Sequence, residues 1–296
     1  MAANGKKPAL VWSKLASAKW EDAWVERLRF LGPGRLAIFS LPGSKRIRIE
    51  AYGLGKRDAA RVLKTFGGQV RELKGQSALP AQQADGPPLV IRDQLVIVRS
   101  PRAAKEAAKK HPGRTLLIVP AAMAFGTGDH ATTATCLRMI CDLAGTFTGK
   151  WEALDLGTGT GILAMAARAI GAVRCDAWDY DPACIRAVRE NARLNAMRHV
   201  PAARVDVTTW TPTRQWNLVT ANLFSDLLVK VAPKIVSAVA PGGRLVLSGI
   251  LTSQSREAIA GFERLGVRFQ RVVKKGKWVS ALSKPFPARP TRPDAA

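Results

Sequence analysis

The chain has 296 residues, 47% of them apolar, which is enough for one large domain and a smaller one, each with its own buried core. Four cysteines without C-x-x-C spacing exclude a secreted disulfide framework and fit reduced thiols in a cytoplasm, while three scattered histidines leave little material for a metal site. The formal charge of +24 implies long-range attraction to polyanions such as ribosomal RNA, or a basic solubility adaptation, since the cations are spread along the chain.

No signal peptide or membrane span is expected, because residues 1–20 lack a continuous apolar stretch and later apolar runs are interrupted by Pro120 and Gly126. Residues 9–73 parse as two similar halves. Ala9 to Leu15 and Arg35 to Leu41 read as strands around an amphipathic helix from Lys19 to Arg29, with Trp20, Trp24 and Leu28 on its core face. Arg46 to Tyr52, Lys56 to Phe66 and Gln69 to Leu73 read as strand, helix and strand. This β-α-β-β-α-β order predicts a small ferredoxin-like domain over residues 1–74.

Residues 75–114 begin with a Gly, Gln, Ser, Ala and Pro-rich linker and continue as a connecting segment, with two strand-like runs around Asp93-Gln94 and a basic helix. Residues 115–284 form the second domain. After Trp151, short apolar strands near 151–156, 173–178, 203–207, 216–222 and 244–249 alternate with helices, which predicts an α/β fold with a parallel sheet covered on both faces. Val267 to Val273 and Lys277 to Leu282 are joined by only Lys274-Lys275-Gly276, and so short a connection demands an antiparallel hairpin. Five parallel strands closed by such a hairpin form the seven-stranded, Rossmann-like sheet of class I methyltransferases. Residues 285–296 read as a flexible, proline-rich tail.

The first strand of that sheet runs into Asp155-Leu156-Gly157-Thr158-Gly159-Thr160-Gly161, ahead of a helix starting near Ile162. Glycines let the backbone approach a ligand closely, and the helix start offers free N–H groups. The spacing is D-x-G-x-G-x-G, not the G-x-G-x-x-G of dinucleotide folds, so no pyrophosphate is required and a nicotinamide oxidoreductase is disfavoured. Asp155, Gly157, Gly159 and Gly161 are therefore candidates to hold S-adenosyl-L-methionine. Asp179, closing the second strand, is placed to accept hydrogen bonds from both hydroxyls of a ribose. Asp181, directly before Pro182, reads instead as a helix N-cap. Asp206, after the third strand, is either an acceptor for an adenine amino group or an exposed loop carboxylate.

Three further segments complete a pattern: Ala124-Phe125-Gly126-Thr127-Gly128-Asp129-His130-Ala131-Thr132-Thr133, Thr220-Ala221-Asn222-Leu223 and Leu247-Ser248-Gly249-Ile250-Leu251. With the glycine turn they resemble, from about Leu89 to Lys284, the methyltransferases that modify the eleventh protein of the large ribosomal subunit. The resemblance implies methyl transfer from S-adenosylmethionine to lysine or N-terminal amines of that ribosomal protein, free or on the ribosome, with the first domain presenting the substrate. It implies further that Thr133, Gly157, Asp179 and Asn222 bind the cofactor, and that Phe125, Thr127 and Gly128 lie in the loop before the sheet. Asn222, at a carboxyl strand end, is the main catalytic candidate, and His130 is a second one, against the commoner reading in which a loop histidine orders its own backbone. Ala131, Thr158, Thr160 and Phe224-Ser225 depart from the family's pattern; Phe224 falls near the acceptor entrance, which leaves substrate identity less defined than reaction type. The alternatives are a methyltransferase acting on RNA or another protein, and a non-catalytic ribosome-binding protein.

Overall fold

The computed structural model describes residues 10–20, 23–24, 27–31, 35–40, 44–72, 86–120 and 130–287. These fall into two compact units, Met1–Gln83 and Ala84–Ala296. Residues 73–85, which include most of the expected linker, and residues 288–296 of the expected tail lie outside the described residues.

The first unit holds strands β1 (Leu10–Ser17), β2 (Leu36–Ser40), β3 (Arg46–Leu54) and β4 (Gln69–Glu72), with helix α1 (Lys56–Phe66) before the last. Its sheet has the order β2-β3-β1-β4, with every pairing antiparallel. That is the ferredoxin-like order. Alternation along β3 places Ile47 and Ile49 in the core with Trp12 of β1 and Val62 of α1, while their neighbours Arg46 and Arg48 face outward. Trp24 and Leu28 are buried as the periodicity predicts. Trp20 is not: it ends a 3-10 turn over Ala18–Trp20 and is half exposed.

In the second unit, β5 (Leu89–Ile91), β6 (Leu95–Val98) and β7 (Thr115–Ile118) form a three-stranded sheet, and α2 (Pro101–Lys110) crosses between the parallel pair β6 and β7. Ser100 caps α2 by accepting from the Ala103 amide at 3.1 Å, and Pro101 occupies its first turn. The segment read as a connector is therefore folded. Ile91, Leu95, Ile97 and Leu117 enter the same core as helix α3 (Ala131–Cys141).

The large sheet comprises β8 (Glu152–Leu156), β9 (Arg174–Asp179), β10 (Ala202–Arg204), β11 (Trp216–Asn222), β12 (Val239–Leu251), β13 (Phe269–Lys275) and β14 (Trp278–Ser283), in the order β10-β9-β8-β11-β12-β14-β13. The first five are parallel, and β14 pairs antiparallel with both neighbours. Helices α4 (Ile162–Ala169), α5 (Pro182–Leu194), α6 (Ser225–Ser237) and α7 (Ser255–Arg264) complete the unit, with one apolar core on each face of the sheet. Chain order reverses between β8 and β11, which opens a crevice at their carboxyl ends, the position where open α/β sheets receive ligands.

Candidate active site

Both strands at this switch point end in candidate residues. Leu156 of β8 pairs with Ala221 of β11, so the glycine turn after β8 and Asn222 at the end of β11 emerge side by side. Between them lies Leu223. A Cβ at Gly157 would strike the Leu223 side chain, and one at Gly249 would overlap the Leu223 backbone. Gly249 also has φ of +81°, a conformation that other residues adopt only with strain. The glycine turn, the Asn222-Leu223 corner and the Ser248-Gly249 bend are thus one interlocked packing unit, although they are far apart in the chain.

The turn spends its own amides internally. Gly157 and Thr158 donate to the Trp178 carbonyl at 2.9 and 3.0 Å, Gly161 donates to the Thr158 carbonyl at 2.9 Å, and Gly159 donates to Asp179 Oδ2 at 3.0 Å. These four amides are therefore committed within the fold, and the free N–H groups expected at the helix start are left to the residues from Ile162 onward. The turn presents a close, rigid backbone surface, which suits a ligand without a pyrophosphate.

Asp179 has its second oxygen, Oδ1, accepting from the Asp181 amide at 3.0 Å. Each carboxylate oxygen carries more than one lone pair, so both retain capacity for a further donor such as a ribose hydroxyl. Asp181 caps α5 through the Ala183 amide at 2.8 Å. Asp206 folds back on its own loop, with Oδ1 accepting from the Thr208 amide at 2.8 Å and hydroxyl at 2.7 Å, and these bonds hold its carboxyl below the usual range.

Asp155 is not at the ligand surface. It is 1% exposed beneath the turn, with the Thr158 and Thr220 hydroxyls donating to its two oxygens at 2.6 Å each. Direct contact with a cofactor is therefore replaced by a role in shaping the turn. Burial pushes its pKa up to about 6, against the lowering effect of the two threonine hydrogen bonds, and nearby Asp179 adds to the rise. An ordinary aspartate titrates near about 3.9. Between these two values the folded state holds a proton that the unfolded chain has lost, so Asp155 should cost stability as pH rises through that window. The expected loss is about 3 kcal/mol in all. Unfolding free energies measured from pH 4 to 7 should show this slope in the wild type and lose it in Asp155→Asn.

Asn222 and the first turn of α3 form a hydrogen-bonded chain. Asn222 Nδ2 donates to Thr132 Oγ1 at 3.3 Å, and Thr132 Oγ1 lies 2.6 Å from His130 Nδ1. A hydroxyl has one proton, so accepting from Asn222 leaves Thr132 to donate to His130. His130 Nδ1 also faces the Thr132 amide at 3.4 Å as the helix cap, and its ring meets Trp278 edge-on at 5.2 Å. The geometry places His130 as an anchor of the α3 start, with Nδ1 occupied. Asn222 Oδ1 is left buried with no partner among the described residues, and Thr133 Oγ1, in the same helical turn, is buried and unpartnered as well. Each such atom costs about 1–3 kcal/mol unless a ligand satisfies it. Phe125, Thr127 and Gly128 lie outside the described residues.

Sequence patterns missed Thr132 as the link between His130 and Asn222, and Leu223 as the wedge between two glycines. The contacts span 90 residues in one case and 26 or more in the other, beyond any local signal.

Comparison with known proteins identifies a family. The family described as ribosomal protein L11 methyltransferase (PrmA) matches residues 56–285. A protein of that name from Trichlorobacter lovleyi is 38% identical over 198 residues, covering 64% of this chain and 62% of its own length. One from Rhizobium meliloti is 36% identical over 176 residues, covering 58% and 60%. The matched region thus spans less than two thirds of these relatives. A solved ribosomal protein L11 methylase from Lactobacillus delbrueckii subsp. bulgaricus has a TM-score of 0.57 at 22% identity, over 67% of this chain and 98% of that one, which is a likeness of fold.

Proposed function

The chain belongs to the ribosomal protein L11 methyltransferase family, and from that premise we propose that it transfers methyl groups from S-adenosylmethionine to lysine or N-terminal amines of ribosomal protein L11. The observation that carries this reading is the buried, unpartnered Asn222 Oδ1 at the carboxyl end of β11, beside the glycine turn.

The residues fit the donor. Asp179 retains acceptor capacity for the two ribose hydroxyls, Gly157 and Gly159 allow close approach of the backbone, and the Thr133 hydroxyl is available to a polar group of the methionine part. When bound, S-adenosylmethionine supplies an electrophilic methyl on a sulfonium whose thioether leaves without a proton. What remains for the protein is alignment of the acceptor nitrogen. A lysine amine with a reference pKa of about 10.4 costs about 5 kcal/mol to deprotonate at pH 7. Once the amine is neutral, Asn222 Oδ1 accepts one of its N–H bonds and turns the lone pair toward the methyl. Thr132, holding Nδ2, keeps the amide from rotating, and the His130 Nδ1 acceptor keeps the Thr132 proton pointed away from it. Thr132→Val should therefore lower kcat about tenfold and leave S-adenosylmethionine affinity nearly unchanged, as steady-state kinetics and calorimetry on the same variant will register.

The first unit presents the protein substrate in this reading. The charge of +24 favours a supporting contact with ribosomal RNA, and it also favours a second reading in which RNA is the methyl acceptor. Among the described residues no helix is long and apolar enough to cross a membrane. A cytoplasmic setting, where ribosomal proteins are made, suits the reaction. The deciding experiment transfers labelled methyl groups into a cell extract, and separately into purified L11 and naked ribosomal RNA, with mass spectrometry of the product. Label in L11 amines is the expected result; label in RNA alone would overturn it in favour of the second reading.

A further inference from the structure

The second unit also carries a cavity of about 480 Å³ at the opposite end of its parallel strands. Arg244 pairs with Leu218, whereas Ser248 pairs with Asn222, so Arg244 sits four residues, roughly 13 Å, toward the amino ends of β11 and β12. Asp142, at the carboxyl end of α3, faces the same cavity, while His130 at the amino end of that helix belongs to the candidate active site.

The lining is cationic. Arg92, Arg244 and Arg271 line it with a single carboxylate, Asp142, and with Gln270 and Thr146. Arg92 makes a forked pair with Asp142 at 2.8 and 3.0 Å, and Arg271 reaches the same carboxylate at 2.6 Å. Both guanidinium groups hold the Asp142 carboxyl below the usual range. Arg244 has no such partner among the described residues. It is 7% exposed and donates only to neutral acceptors, the Ser283 carbonyl at 3.0 Å and the Gln270 side-chain oxygen. Burial holds its pKa below that of an ordinary guanidinium. Arg271 Nε is buried and without a hydrogen-bond partner among the described residues.

A buried guanidinium without a counter-ion is costly, and three cations against one anion leave two positive charges uncompensated around a space large enough for a small ligand. A carboxylate ligand would balance one of them. A phosphate group carries close to two negative charges and offers several acceptor oxygens to forked guanidinium donors. We propose that this cavity is an anion site that takes a phosphate group, separate from the methyl-transfer site. The phosphate comes either from an RNA backbone or from a phosphorylated small molecule.

The test titrates the full chain with pyrophosphate by calorimetry at fixed low ionic strength, and repeats the titration in the presence of a single-stranded RNA oligonucleotide. Saturable pyrophosphate binding is expected, weakened at least about tenfold in Arg244→Met and in Arg92→Ala, with S-adenosylmethionine affinity unchanged. Arg92 is half exposed on the rim, so its variant keeps the test valid if Arg244→Met fails to fold. Competition by the oligonucleotide assigns the phosphate to RNA, and binding without competition assigns it to a small ligand. Absence of saturable binding, or equal affinity in wild type and Arg92→Ala, overturns the proposal. Neither result bears on methyl transfer, which is assayed at the other end of the sheet.

Discussion

Asp179→Ala is expected to weaken S-adenosylmethionine binding by at least about 100-fold, to the point where calorimetry registers no heat at ordinary concentrations. Two effects combine. The variant loses two charge-assisted hydrogen bonds to the ribose, each worth about 1.5–3 kcal/mol. It also releases the Gly159 and Asp181 amides, which the carboxylate holds at 3.0 Å, so the glycine turn and the start of α5 lose their common tether. Asp179→Asn separates the two, because an asparagine keeps an acceptor for one of these amides while giving up the charge. Its affinity should fall between wild type and Asp179→Ala. Wild-type affinity in the alanine variant would remove Asp179 from the site.

Asn222→Ala is expected to behave differently, with kcat falling about 100-fold or more and cofactor affinity changing by less than about tenfold. The reason lies in which atom is unpartnered. Nδ2 is engaged by Thr132, so the amide is already oriented, and Oδ1 has no partner among the described residues until an acceptor amine arrives. Removing Oδ1 costs little before the amine binds and most when the nitrogen lone pair must face the methyl. Asn222→Asp is an informative companion. It keeps the acceptor atom but loses the Nδ2 donor to Thr132, so Thr132 must rotate its proton toward the new carboxylate and away from His130. Single-turnover rates alongside equilibrium binding distinguish these effects. An Asn222→Ala enzyme with wild-type kcat would overturn the proposed alignment role.

Much of this architecture is legible along the chain. Period-2 alternation in Arg46 to Tyr52 and helical spacing in Lys56 to Phe66 locate β3 and α1, because each element buries one face against a single core. The short connection expected at Lys274-Lys275-Gly276 forces the β13–β14 hairpin, although Lys274 and Lys275 pair within β13 and the turn itself is Gly276-Lys277, and Asp181-Pro182 marks the start of α5. Short-range features of this kind depend on neighbours within a few residues. Trp20 shows the limit: its spacing matches that of the buried Trp24 and Leu28, yet it ends a 3-10 turn and is half exposed.

The glycine turn divides along the same line. Its D-x-G-x-G-x-G spacing by itself determined a strand-to-helix turn that a ligand can approach, in a parallel α/β sheet. Whether Asp155 faces that ligand or the core was decided only by Thr158 and Thr220, the latter from a neighbouring strand 65 residues away. Likewise the sequence determined that Asn222 ends a strand, while the free direction of its Oδ1 was decided by Thr132 of α3 and by the wedge of Leu223 between Gly157 and Gly249. Backbone conformation follows from local sterics and periodicity; the orientation and pairing of a polar side chain follow from partners that only folding brings within hydrogen-bonding distance.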